Sequence, residues 1–73
     1  NLRNMARFYK EKPKNCKGWM YSKVYNLYFH WNHQVYELCS IYNFEECDDD
    51  DFNECLKEAE VYDADTMQPL WIE

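Results

Sequence analysis

The residues with the most distinctive chemistry in this 73-residue chain are its four cysteines. Thiols can join as disulfides or bind zinc, and zinc sites usually contain a Cys-x-x-Cys pair followed by histidines at fixed spacing. The chain has no such pair, and His30 and His33 do not follow one. The spacing therefore favours two disulfides over zinc and predicts no metal site; the cysteines are Cys16, Cys39, Cys47 and Cys55. Disulfides predict a secreted, extracellular protein.

No group of side chains predicts catalysis. No serine has a plausible base near it in sequence, and His30 and His33 fall on opposite faces of one predicted strand. The cysteines are better used in bridges than as nucleophiles. We therefore expect a protein that is not an enzyme and needs no cofactor.

The charges are segregated along the chain, whose net charge is -6. Residues 1–23 carry seven of the eight basic residues against Glu11, and residues 45–73 carry twelve of the fourteen acids against Lys57. This pattern argues against nucleic acid and membrane as targets of the acidic half and favours a basic protein partner. The alternative is a merely solvated surface. No apolar run is long enough to span a membrane and no signal-peptide core is present, so we expect a mature soluble product.

Two aromatic-rich segments are expected to position the cysteines and the charged residues. Residues 19–31 alternate aromatic and other side chains with the period of two that is typical of a strand, and residues 35–44 are equally rich in strand formers. The polar group at 32–34 between them contains Asn32, which tolerates a turn. The sequence predicts a long antiparallel β-hairpin.

A helix is predicted over residues 49–62. Aspartates at 48–51 precede an apolar stripe formed by Phe52, Leu56 and Ala59, and acids at that place cap free N–H groups and suit the helix dipole. A calcium loop is the alternative, but its spaced ligands and glycine are missing. The whole chain, 1–73, is thus expected to be one small disulfide-rich α+β domain, with a basic leader at 1–15 and an acidic, irregular tail at 63–73.

The segment 39–47 resembles the second-strand signature of Kunitz-type domains. Seven residues separate its two cysteines, and Tyr42 and Phe44 stand at the third and fifth positions after the first. Residues 23–26 resemble the family's first strand, and residues 52–59 resemble its C-terminal helix. The family includes secreted salivary inhibitors of blood-feeding parasites, so the resemblance implies an inhibitor that acts on a host protein.

The resemblance also implies particular roles for residues near the cysteines. It pairs Cys16 with Cys47 and Cys39 with Cys55, and it places Lys17 and Gly18 in the loop that enters a protease's primary pocket. The third cysteine pair of the family is replaced by Arg7 and Ala59. Glu45 and Glu46 stand where the family has two glycines, and Lys14 also replaces a glycine, which predicts a different loop backbone.

The outer half of the predicted hairpin is unusually apolar and is a candidate partner-binding surface. Its residues are Leu27, Phe29, Trp31, Tyr36 and Leu38. An exposed patch of this kind needs a cover. The cover is a partner, a second copy of the chain, or the tail residues at 70–72 folded back.

A second candidate binding segment contains Tyr62, Asp63 and Asp65. A tyrosine among acids outside the regular fold is typical of sulfation sites that engage basic exosites. The alternative is a solvated helix end.

These features predict a secreted inhibitor that blocks a basic host effector, such as a protease exosite, a complement component or a chemokine. One alternative is active-site inhibition of a trypsin-like protease through Lys17. Another is an ion-channel or receptor ligand of toxin type, against which the negative net charge counts. A further alternative is a structural role as a small oligomeric building block, if the aromatic face self-associates.

Overall fold

The computed structural model describes residues 8–30, Val35, Leu38 and residues 48–73. Within these residues the fold is small and α+β, with a three-stranded antiparallel sheet in the order β2-β1-β3 and one helix. The elements are β1 (Trp19–Ser22), β2 (Leu27–His30), α1 (Asp49–Glu58) and β3 (Val61–Asp63).

The hairpin lies earlier in the chain than predicted. β1 pairs directly with β2, so the single strand predicted over 19–31 is wrong and is replaced by two strands and a four-residue turn at 23–26. Asn26 closes this turn with a φ of 56°, a left-handed conformation that asparagine adopts more readily than most residues. The turn residues Val24 and Tyr25 are exposed.

The turn reverses the alternation of side chains along residues 19–31, so the two faces of the sheet differ from those of one continuous strand. Ser22 pairs with Leu27 and Met20 pairs with Phe29, so all four side chains point to the same, buried face. Because the turn contains an even number of residues, inward positions are even-numbered before it and odd-numbered after it. A continuous strand would have placed Met20 and Phe29 on opposite faces.

The second predicted strand, 35–44, is not a strand at the positions that the structure describes. Val35 and Leu38 have helical backbone, and both side chains are buried. The other residues of that predicted strand lie outside the described residues.

Helix α1 begins where the aspartates predicted it to begin. The backbone N–H of Asp51 donates to Oδ1 of Asp48 at 2.9 Å, and the N–H of Asp48 donates back to Oδ2 of Asp51 at 3.3 Å. The helix ends at Glu58, four residues before the predicted end at 62. Glu60 has a φ of 47°, and this left-handed residue after the cap at Ala59 turns the chain into the sheet.

The tail is more ordered than its sequence predicts. Its first residue, Asp63, ends β3, which pairs with β1, and the chain then reverses so that Pro69 pairs with Tyr62. The N–H of Leu70 donates to the carbonyl of Val61 at 3.0 Å. The predicted irregular segment at 63–73 therefore returns along the outer edge of β3.

The core lies between the inner face of the sheet, helix α1 and the described residues near 35. Its buried members are Phe8, Met20, Leu27, Phe29, Val35, Leu38, Cys55, Leu56, Ala59 and Val61. Leu70 and Trp71 pack against them. Of the tail residues 70–72 that were predicted as one possible cover, Leu70 and Trp71 thus fold back onto the core, whereas Ile72 is exposed.

Neither predicted disulfide is shown by the structure. Cys16 is a buried thiol whose Sγ donates to the carbonyl of Pro13 at 3.3 Å, and Cys55 is buried in α1. Their proposed partners, Cys47 and Cys39, lie outside the described residues.

Candidate functional site

A groove of about 610 Å³ lies between helix α1 and the C-terminal segment. We call it the acidic groove. Its apolar lining consists of Phe52, Leu56, Leu70 and Ile72. Its acidic lining consists of Asp49, Asp50, Glu54 and Glu73. Phe52 and Leu56 share one face of the helix because they are four residues apart, so the helix forms one wall and the tail forms the other.

The tail wall is held in place by the side chain of Asn53. Nδ2 of Asn53 donates to the carbonyl of Ile72 at 2.8 Å, and the N–H of Ile72 donates to Oδ1 of Asn53 at 2.7 Å. The ring of Trp71 packs edge-on against Tyr62 of β3, with centroids 5.2 Å apart. These contacts fix the tail backbone while the side chain of Ile72 stays 77% exposed.

Among the residues that the structure describes, the groove lining carries more negative than positive charge. Asp48 and Asp51 are used in the helix cap, whereas Asp49 and Asp50 line the groove. Lys57 is 3.7 Å from Glu54, and an exposed pair at this distance is weak and screened by salt. Four carboxylates against one ammonium give the lining a net charge of -3.

Three of the five residues predicted to form an apolar partner-binding surface belong to the core. Leu27 is 4% exposed, Phe29 is 0% exposed and Leu38 is 2% exposed. The reversed alternation of β2 turns Leu27 and Phe29 inward, where the ring of Phe29 contacts that of Phe8 with centroids 5.7 Å apart. These side chains cannot reach a partner in the folded domain. Trp31 and Tyr36 lie outside the described residues.

The predicted acidic segment around Tyr62 lies in regular structure instead of outside it. Tyr62 is half-buried in β3 opposite Tyr21. Oδ1 of Asp63 accepts the backbone N–H groups of Asp65 at 2.8 Å and Thr66 at 3.2 Å, so this carboxylate stabilises the turn after β3. Asp65 is exposed. Sulfation of Tyr62 stays a prediction.

The predicted reactive loop forms a tight turn just before β1. The N–H of Trp19 donates to the carbonyl of Cys16 at 2.9 Å, which places Lys17 and Gly18 at the two central positions. Gly18, the only glycine of the chain, has a positive φ of 82°, a conformation that glycine adopts readily in a tight turn. Both residues are exposed at the turn.

A second concavity, of about 420 Å³, is formed by the chain that leads into this turn. Its lining is residues 8–13 and Trp19. Tyr9 exchanges two backbone hydrogen bonds with Tyr28, at 2.9 and 2.7 Å, which adds this segment to the edge of β2. The segment therefore lies at the opposite edge of the sheet from β3 and the acidic tail.

Sequence reasoning missed both concavities, although parts of the signal were present. The apolar stripe of α1 and the apolar tail at 70–72 were recognised separately, but only their pairing through Asn53 makes a groove. No local pattern links residues 19 positions apart.

Comparisons with other proteins do not identify a family for this chain. No family model, no curated protein and no solved structure matches it. The Kunitz resemblance therefore stays a prediction. None of the helical segments among the described residues has the length and apolar character that a membrane span requires, and no three of the described His, Cys, Asp and Glu side chains form a group that could hold a metal ion.

Proposed function

We propose that the chain is a secreted inhibitor whose acidic groove binds a basic, partly apolar segment of an extracellular effector protein. The observation that carries this proposal is the combination of four carboxylates and four apolar side chains in the lining of one groove. The partner segment would place lysine or arginine side chains near the acids and one or two apolar side chains between Phe52 and Ile72.

The two components of the groove would contribute differently to binding. The carboxylates would attract a basic partner from solution and raise the association rate more than the affinity. Apolar contacts in the centre of an interface supply most of the affinity. Ile72 is exposed and its backbone is held by Asn53, so it can contact a partner with little loss of conformational entropy.

Secretion and a two-disulfide, Kunitz-like framework belong to the same proposal. Four cysteines in a chain of 73 residues support it, because a domain this small buries little apolar surface and benefits from cross-links. The expected bridges join Cys16 with Cys47 and Cys39 with Cys55. Peptide mapping of the secreted, unreduced protein tests both pairs. A disulfide-linked pair of peptides that joins Cys16 with Cys55 would contradict them.

Binding to a panel of basic extracellular proteins, such as chemokines, tests the groove directly. In one variant Asp50→Asn is combined with Glu54→Gln, which removes two charges from the groove. A matched control combines Glu58→Gln with Asp65→Asn, two exposed acids that do not line it. We expect the groove variant to lose about tenfold in affinity, corresponding to about 1.4 kcal/mol, and the control to lose less than threefold.

A second pair of variants separates contact from long-range attraction. Ile72→Ser removes an exposed apolar side chain from the groove, and Val24→Ser removes one that is 50% exposed in the turn between β1 and β2. Only the Ile72 variant should accelerate dissociation. Binding in the groove would be refuted if Ile72→Ser and Val24→Ser bound the partner with equal affinity. It would also be refuted if the groove charge variant and its control lost the same affinity.

Active-site inhibition of a trypsin-like protease is a second candidate, favoured by the exposure of Lys17 at its turn. Such a protease binds a basic side chain in its primary pocket. Replacement Lys17→Ala should then abolish inhibition, and an unchanged inhibition constant would exclude this candidate.

A further inference from the structure

We propose that the segment at residues 10–17, here called the lysine loop, binds a sulfated polysaccharide. It contains four lysines in eight residues, Lys10, Lys12, Lys14 and Lys17, with Glu11 as its single acid. All four lysines are exposed. Short lysine-rich segments of this kind form patches that attract heparin-like polyanions. This site is separate from the acidic groove and would bind an anionic ligand, whereas the groove would bind a basic one.

The lysine loop is fixed to the fold at both ends. Its first end follows Tyr9, which is paired with β2, and its second end is the turn that enters β1 at Trp19. Within it, Pro13 restricts its own backbone and keeps Lys12 out of helical conformations. A loop held in this way loses less conformational entropy on binding than a free tail with the same charges.

An aromatic wall adjoins two of the lysines. Tyr9 and Trp19 pack edge to face, with ring centroids 5.2 Å apart, and both line the concavity that also includes Lys10 and Lys12. Aromatic rings offer an apolar surface to the C–H face of a sugar ring, while the ammonium groups contact its sulfates. The two features together fit a sulfated sugar better than an isolated anion.

The choice of a polysaccharide over a nucleic acid follows from side-chain type. The net charge of -6 repels any polyanion from most of the protein surface and limits contact to one short segment. The loop has no arginine, the residue that makes bidentate contacts with phosphates and bases. Since sulfated polysaccharides are extracellular polyanions, this choice rests on the secretion proposed above.

Chromatography on immobilised heparin, combined with equilibrium binding at several salt concentrations, tests the proposal. The loop variant combines Lys12→Gln with Lys14→Gln. The control combines Lys23→Gln with Lys57→Gln, which removes the same charge outside the loop. For a polyanion of DNA-like charge density, each lost contact lowers the slope of log K against log salt by about 0.9, so the loop variant should lose about 2. The control should keep its slope and elute within the same fraction as the parent protein.

A third variant, Tyr9→Leu, tests the aromatic wall. It should lower heparin affinity about threefold without changing the salt slope, because it removes no charge. Circular dichroism confirms that each variant is folded before binding is compared.

Three results would overturn the proposal. One is equal loss of heparin binding in the loop and control variants. Another is equal affinity for heparin and for its desulfated form. The third is tighter binding to duplex DNA than to heparin at the same salt concentration. The two proposals can fail separately, because the acidic-groove variants Asp50→Asn and Glu54→Gln should leave heparin binding intact or slightly stronger.

Discussion

Replacing Ser22 with alanine tests how the sheet is tied to the helix. Ser22 is 0% exposed, and its Oγ donates to the carbonyl of Ala59, the C-cap residue of α1, at 2.7 Å. The same Oγ accepts the N–H of Tyr25 in the β1–β2 turn at 3.2 Å. One hydroxyl thus joins the end of β1, the following turn and the end of the helix.

The expected cost can be worked out from these two bonds. Without the hydrogen bond from Ser22, the Ala59 carbonyl keeps only a long bond of 3.4 Å from the N–H of Val24. We therefore expect the loss of the Ser22–Ala59 bond to cost about 1–2 kcal/mol. The second bond is longer and partly buried, and its loss costs about 0.5–1 kcal/mol. Ser22→Ala should therefore lower the free energy of unfolding by about 2 kcal/mol.

Urea denaturation followed by circular dichroism measures this change, and a thermal melt gives a second estimate. In a domain of this size a loss of about 2 kcal/mol lowers Tm by about 8–16 °C. The control is Thr66→Ala, which removes an exposed hydroxyl that accepts the N–H of Gln68 at 3.3 Å. It should cost less than about 0.5 kcal/mol. If both variants lose the same stability, the hydroxyl of Ser22 does not link these elements as described.

Three further changes test other parts of the fold. Phe29→Ala should lower the free energy of unfolding by about 3–5 kcal/mol, measured by urea denaturation, because the ring is fully buried; a stable variant would show that Phe29 is a surface residue. Asp48→Ala should cost about 1 kcal/mol through loss of the helix cap, and unchanged helicity and midpoint would contradict the capping box. Gly18→Ala meets no atom within 4 Å of its new Cβ but keeps a φ of 82°, so a cost of about 1–2 kcal/mol is expected in the thermal melt, and a rise in Tm would show that the turn relaxes without strain.

The sequence alone determined the features that depend on neighbouring residues. Asp48 and Asp51 predicted the start of the helix because a capping box is completed within four residues. The apolar stripe of Phe52, Leu56 and Ala59 predicted which side of the helix faces the core, because helical periodicity is local: Leu56 and Ala59 are buried and Phe52 packs against the core.

The strand pairing could not be obtained in the same way. Residues 19–31 alternate well enough to read as one strand, and the turn at 23–26 contains Val24 and Tyr25, which are typical of strands. Only the packing of Met20 beside Phe29 on one face shows that the chain reverses there. The end of the helix was also set by tertiary structure, because Val61 pairs with Ser22 instead of extending the helix.

The charges of the two candidate binding surfaces were visible in the sequence, but their shapes were not. Segregation of lysines and acids is a property of composition, and it predicted a basic partner for the acidic half. The acidic groove exists only because Asn53 binds the backbone of Ile72, and the aromatic wall of the lysine loop exists only because Tyr9 pairs with β2. Contacts between distant residues depend on how the whole core packs, which no local pattern encodes.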